Sequence, residues 1–162
     1  MTTARTRETR IEVDPEVPLV RLTREFDAPP EKVFRAHVEP DLVKRWLGPR
    51  RLVMDIERFD CETGGAYRYT HRDEDGEYRF YGSFHEVRPN ERIVQTFTFE
   101  GFPDGVSLET LTFVDLGDGR TRLEGLSVFD SVETRDLVIC SGMEVGVVEG
   151  YEQLDELLAG GV

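Results

Sequence analysis

Between Arg51 and Phe129 the apolar residues recur in short runs with no helical spacing. Segments rich in Val, Tyr, Phe and Thr lie near 52–60, 66–72, 78–88, 92–100, 106–116 and 120–129. Thr63-Gly64-Gly65, Asp73-Glu74-Asp75-Gly76, Pro89-Asn90-Glu91, Pro103-Asp104-Gly105 and Gly117-Asp118-Gly119 separate them. That punctuation predicts six antiparallel strands joined by hairpins. Upstream, Leu19–Phe26 carries apolar side chains at short intervals and predicts an opening strand. Asp27-Ala-Pro-Pro30 ends it and offers Asp27 as cap of a short helix with Val33, Phe34, Ala36 and His37 on one face. After Pro40, Asp41–Leu47 predicts a second small helix that Gly48-Pro49 halts.

The end of the chain returns to helix. Ser131–Ile139 predicts a short helical turn, and Ser141-Gly-Met-Glu144 has the form of a capping box, placing a new helix start near Gly142. From there Met143, Val147, Tyr151, Leu154 and Leu158 draw one apolar stripe that must be buried. Gly142, Gly146 and Gly150 fall beside it, each weakening the helix by ~1 kcal/mol relative to alanine. Either the sheet backbone approaches closely there or space is kept open beside the helix. Residues 1–18, with mixed charges, Pro15 and Pro18, read as a flexible arm, leaving 19–160 as one domain.

Length and charge narrow the classes. A chain of 162 residues suits a single domain with a real core. Its net charge of −13 repels phosphate backbones and anionic headgroups, so neither nucleic acid nor membrane is expected as a partner. With no apolar run long enough to cross a bilayer and a polar start, the expected location is the cytoplasm. Cys61 and Cys140 are too few and too far apart for a zinc knuckle or disulfide framework, and read as two reduced thiols, at least one of them buried.

Strand, two small helices, six-stranded meander and terminal helix form the layout of the α+β helix-grip fold. The chain resembles the START-like (SRPBCC) superfamily, and within it the family named for the activator of the heat-shock protein 90 ATPase. The resemblance runs over about residues 19–159. It is carried by Arg24-Glu-Phe-Asp-Ala-Pro29, Val33-Phe34, Pro40, Arg45-Trp46 with Gly48-Pro49, Gly64-Gly65-Ala-Tyr67-Arg68, Gly82, Glu86-Val87-Arg-Pro89, Glu91-Arg-Ile93-Val94 with Thr96, and Gly142-Met143 through Gly150-Tyr151 to Leu154-Asp-Glu-Leu157. Two places depart from the family pattern: Trp46-Leu47 stands where paired tryptophans are common, and Asp60-Cys-Glu62 lacks the basic residue that often precedes the double glycine. The resemblance implies a curved seven-stranded antiparallel sheet, β-α-α-β6-α in order, wrapped around the long C-terminal helix. It also implies a cavity between them for a small hydrophobic or aromatic molecule.

Same-parity pairs Tyr67 with Tyr69, Phe97 with Phe99 and Leu111 with Phe113 can point inward from their strands, with Met54 and Tyr81 from neighbouring ones. Met143, Val147 and Tyr151 would face them from the helix, and Trp46 would stand at the entrance as a lid or a packing anchor. Chemistry is thin. His37, His71 and His85 lack metal-ligand spacing, and no nucleophile elbow, phosphate loop or dinucleotide fingerprint occurs, so neither metal nor cofactor is expected. The reading is therefore reversible binding by a carrier, sensor or sequestering protein. The alternative is a polyketide cyclase-like or hydrolase-like enzyme in the same cavity, with His85, Glu86, Glu109 or a tyrosine moving a proton. Third comes an interaction protein resembling the chaperone ATPase activators. A homodimer through an unpaired edge strand stays open.

Overall fold

A computed structural model describes residues 8–162; residues 1–7, the first part of the expected arm, lie outside the described residues. The elements run β1 (Arg10–Val13), β2 (Leu19–Phe26), α1 (Pro30–Val38), α2 (Pro40–Val43), β3 (Val53–Phe59), β4 (Ala66–Asp73), β5 (Gly76–Arg88), β6 (Arg92–Phe99), β7 (Val106–Gly117), β8 (Arg120–Val128), α3 (Val132–Cys140) and α4 (Met143–Ala159). The strands form one antiparallel sheet in the order β1-β2-β8-β7-β6-β5-β4-β3. This is an α+β architecture consistent with the helix grip. Bulges between Ile56 and Arg58, Phe84 and Glu86, and Asp115 and Gly117 bend it locally.

Eight strands replace the expected seven, because part of the arm is structured. Arg10–Val13 pairs with β2, Ile11 opposite Leu22. Arg135 of α3, 3 % exposed, holds the connection that follows by donating from Nη1 to the carbonyls of Asp14, Val17 and Leu19. A buried guanidinium satisfied by three carbonyls leaves no apolar signature in the sequence, which is why the segment reads as loose.

Local signals failed at three helix ends. Asp27 does not cap α1; Pro29 occupies that position with no side-chain bond, and Asp27 accepts from Arg120 Nε instead. The second helix ends at Val43, and the chain continues through turns to Gly48. Ser141 closes α3 by donating from its hydroxyl to the Val138 carbonyl, so the capping box does not form, and Gly142 starts α4 with φ +88. That conformation is one glycine adopts without cost.

One core joins the layers. Phe26, Val33, Phe34, Tyr67, Phe113, Leu123, Tyr151 and Leu154 belong to it. Arg24 of β2, 2 % exposed, crosses to α4 and donates from Nη1 and Nη2 to the two Asp155 carboxylate oxygens at 3.1 and 2.6 Å. Breaking such a pair from one side strands a buried charge, so the residue that opens the family motif locks sheet to helix.

Candidate functional site

The three glycines of α4 have separate causes. A Cβ on Gly150 would stand 3.2 Å from the Trp46 carbonyl and 3.3 Å from the Gly48 nitrogen, so close backbone approach explains it. The approaching backbone is the turn after α2, not the sheet as anticipated. Gln153 secures that turn by donating from Nε2 to the Trp46 and Gly48 carbonyls at 3.1 and 2.9 Å. Gly146 faces Pro49, and Gly142 serves its backbone conformation. The α4 backbone thus comes close to α1, α3 and this turn, and meets the strands chiefly through side chains.

Those side chains seal one end of the sheet-to-helix layer. Trp46 is buried, donates from Nε1 to the Ala36 carbonyl at 2.9 Å, and stacks on Tyr151 with centroids 5.8 Å apart. His37 meets Trp46 and Phe113 edge-on, and Phe34 meets Phe113 likewise. These contacts show Trp46 as a packing anchor. Burial holds the His37 pKa down at about 4, the Val33 carbonyl opposing only in part, so the ring is neutral.

At the other end the inner face of the two central strands is incompletely covered. Phe97 of β6, Leu111 of β7 and Val147 of α4 are half-buried against the core, while Met143 is half-buried outside it. Among them stands Glu109 on β7, paired in register with Gln95 of β6 and Ser127 of β8. Ser127 donates its hydroxyl to Glu109 Oε2 at 3.1 Å, and Oε1 has no partner among the described residues. Burial raises the Glu109 pKa to about 7, with the Ser127 bond opposing. Its charge is near enough to raise the phenol pKa values of Tyr67, Tyr69 and Tyr151, each already lifted by burial.

The three tyrosines differ in how their hydroxyls are used. Tyr67 donates to the Thr96 carbonyl at 2.6 Å, passing over Gly82, where any Cβ would collide with both groups. Tyr69 and Tyr151 are 5 % and 8 % exposed, yet their hydroxyls have no hydrogen-bond partner among the described residues. Neither oxygen is fully enclosed; the enclosed, unpartnered side-chain atoms are Arg24 Nε, His37 Nε2 and His71 Nε2. Both hydroxyls and Glu109 Oε1 therefore border open space.

The other anticipated residues fall in three groups. Met54, Tyr67, Tyr69 and Phe113 are core. Phe99, 37 % exposed, continues the aromatic row Tyr69-Phe80-Phe99 at the outer end. Tyr81 does not join them: it pairs with Arg68 and Thr98 on the opposite face, under the Arg68 guanidinium. Of His85, Glu86 and Glu109, it is Glu109 that faces inward, together with the phenols of Tyr67, Tyr69 and Tyr151. His85 is exposed beside a bulge, and Glu86 pairs with Arg88 and Arg92. Phe80, Gln95 and Ser127 were missed, although the Asp73–Gly76 hairpin fixes Phe80 opposite Tyr69.

Other chemistry is sparse. Among the described residues no group of three His, Cys, Asp or Glu is placed to hold a metal ion. Cys61 is half-buried, its thiol pKa raised to about 12 by burial, and Cys140 is exposed. Two clefts open beside β1, one of about 190 Å³ and one of about 480 Å³ against α4. Glu8 and Arg24 border both, and Glu144 and Glu152 the larger. Charged walls and the lack of any anticipated lining residue set these clefts apart from the inner face. No helix of the described residues is long and apolar enough to cross a membrane.

The family described as "Activator of Hsp90 ATPase homolog 1-like protein" matches residues 27–159. A protein of Arthrobacter aurescens solved by NMR is 26% identical, with a TM-score of 0.85 over 93% of this chain and 91% of that one. A crystal structure from Rhodobacter sphaeroides is 27% identical, with a TM-score of 0.84 over 94% and 99%. DynU16, a protein in the dynemicin biosynthetic locus, shares the fold alone at 19% identity, with a TM-score of 0.65 over 89% of this chain and 48% of that one. No curated protein matches the chain.

Proposed function

The chain belongs to the family of Activator of Hsp90 ATPase homolog 1-like proteins, and from that premise we propose that it binds a small hydrophobic or aromatic molecule between its sheet and α4. One observation carries this reading. The Tyr69 and Tyr151 hydroxyls and Glu109 Oε1 border open space from three elements of the layer between sheet and helix. Apolar walls with a few convergent polar groups are how small-molecule sites orient their occupants. Half-buried Phe97, Leu111 and Val147 supply the walls.

Titration with the neutral fluorophore N-phenyl-1-naphthylamine tests it. Binding is expected in the wild type and is lost in Val147→Trp, whose indole would fill the space, while the thermal midpoint stays close to that of the wild type. Equal binding by the variant, or none by the wild type, contradicts the proposal.

A second reading has support from Glu109 alone. A carboxyl with a pKa near 7 can accept and return a proton at neutral pH, as a cyclase-like reaction requires. The activator name has no comparable observation behind it.

A further inference from the structure

The proposed binding site contains a carboxyl group with no cation to match it among the described residues. Glu109 stands on a central strand, and its partners are the neutral Ser127 hydroxyl and, across β6, the register neighbour Gln95. From β4 and α4 it is faced by the phenols Tyr67, Tyr69 and Tyr151. The basic side chain that acts on this group of residues is Arg24 on β2, through Tyr151, but Asp155 already takes two of its donors. Val20, which completes the row on β2, is apolar. A carboxylate removed from water without a counter-charge is costly, and in a functional site the occupant can supply that charge.

The surrounding rings suit the same occupant. Tyr67, Tyr69, Phe80 and Phe97 form a continuous series of stacked neighbours 5.3 to 6.0 Å apart, and aromatic faces attract cations as well as apolar bodies. The unpartnered Tyr69 and Tyr151 hydroxyls are acceptors for ammonium N–H groups. The net charge of −13 concentrates cations at the surface.

We infer that the preferred ligand is an organic amine: an aromatic or aliphatic body seated against Phe97, Leu111 and Val147, with a protonated nitrogen on the Glu109 carboxylate. This deepens the binding reading and rests on it. A bound cation stabilises the ionised carboxylate. At pH 7, where the empty site is partly protonated, the complex then releases a fraction of a proton from Glu109.

The test is a matched pair, naphthalen-2-ylmethylamine and naphthalen-2-ylmethanol, titrated calorimetrically into the wild type and Glu109→Gln at pH 7.5. The amine is expected to bind the wild type at least ten-fold more tightly than the alcohol, and the variant to lose that preference. Repeating the wild-type titrations at pH 7 in two buffers of different ionisation heat should show proton release with the amine alone. That measurement stands whether or not the variant folds. Equal affinity for both compounds, or an amine preference that survives Glu109→Gln, overturns this inference and leaves the binding site standing. Failure of both compounds to bind the wild type overturns the two together.

Discussion

The two ends of the layer between sheet and helix use similar side chains for opposite purposes. At the α1 end His37, Trp46, Phe113 and Tyr151 close edge to face and face to face around a neutral imidazole. Toward the N-terminal half of α4, Phe97, Leu111 and Val147 remain half-buried around a carboxyl group with one unpartnered oxygen. Aromatic content does not distinguish these ends. The turn at Trp46–Gly48 does, because its backbone makes its closest approach to α4 at Gly150, beside Tyr151. Core and site are continuous here, and Tyr151 belongs to both: its ring packs on Trp46 and Phe26, and its hydroxyl borders the open side.

The largest expected effect is at the sealed end. Trp46→Ala removes a buried indole, its bond to the Ala36 carbonyl and the stack on Tyr151, and should cost about 3–5 kcal/mol in urea unfolding. A loss below about 1 kcal/mol would show that the seal contributes little, and the contrast would collapse.

Glu109→Gln should act in the opposite direction. The folded pKa of about 7 lies above the ordinary 4.5, so between those values the folded protein keeps a proton that the unfolded chain has released. Stability therefore falls as pH rises through this window. The glutamine variant should exceed the wild type by on the order of 2 kcal/mol at pH 8 and roughly equal it at pH 4.5. Equal stability at pH 8 would mean that water already solvates the carboxylate.

The buried histidines have the reverse sign. Burial holds His37 and His71 at about 4, below 6.5, so the unfolded chain takes up protons first as pH drops. Their contribution is complete above 6.5 and lost toward 4, by on the order of 2 kcal/mol each. His71→Gln should lose less stability than the wild type across that interval; an identical loss would place the acid sensitivity elsewhere.

Much of the fold is written in turn chemistry. The residues at Asp73–Gly76 and Gly117–Gly119 bound real hairpins, and the strand segments match closely. Which end is open is not legible, because a period of two assigns a side chain to a face and says nothing about what covers it. Tyr81 shows the cost of choosing by residue type: the hairpin register places Phe80 inward and Tyr81 outward. The Glu109–Ser127 pair is hidden for another reason. The bulge between Asp115 and Gly117 shifts that register by one residue, so counting back from the turn misplaces the partner. Arg135 and the strand it anchors escaped because buried arginine has no periodic signature.

The most direct test is an NMR titration of the protein with a neutral naphthyl alcohol, reading intermolecular Overhauser contacts. The account predicts contacts to the Leu111 and Val147 methyl groups and the Phe97 ring, with little change at Trp46 or Phe34. Contacts confined to the β1 clefts, at Val148 or the Glu144 and Glu152 side chains, would contradict it.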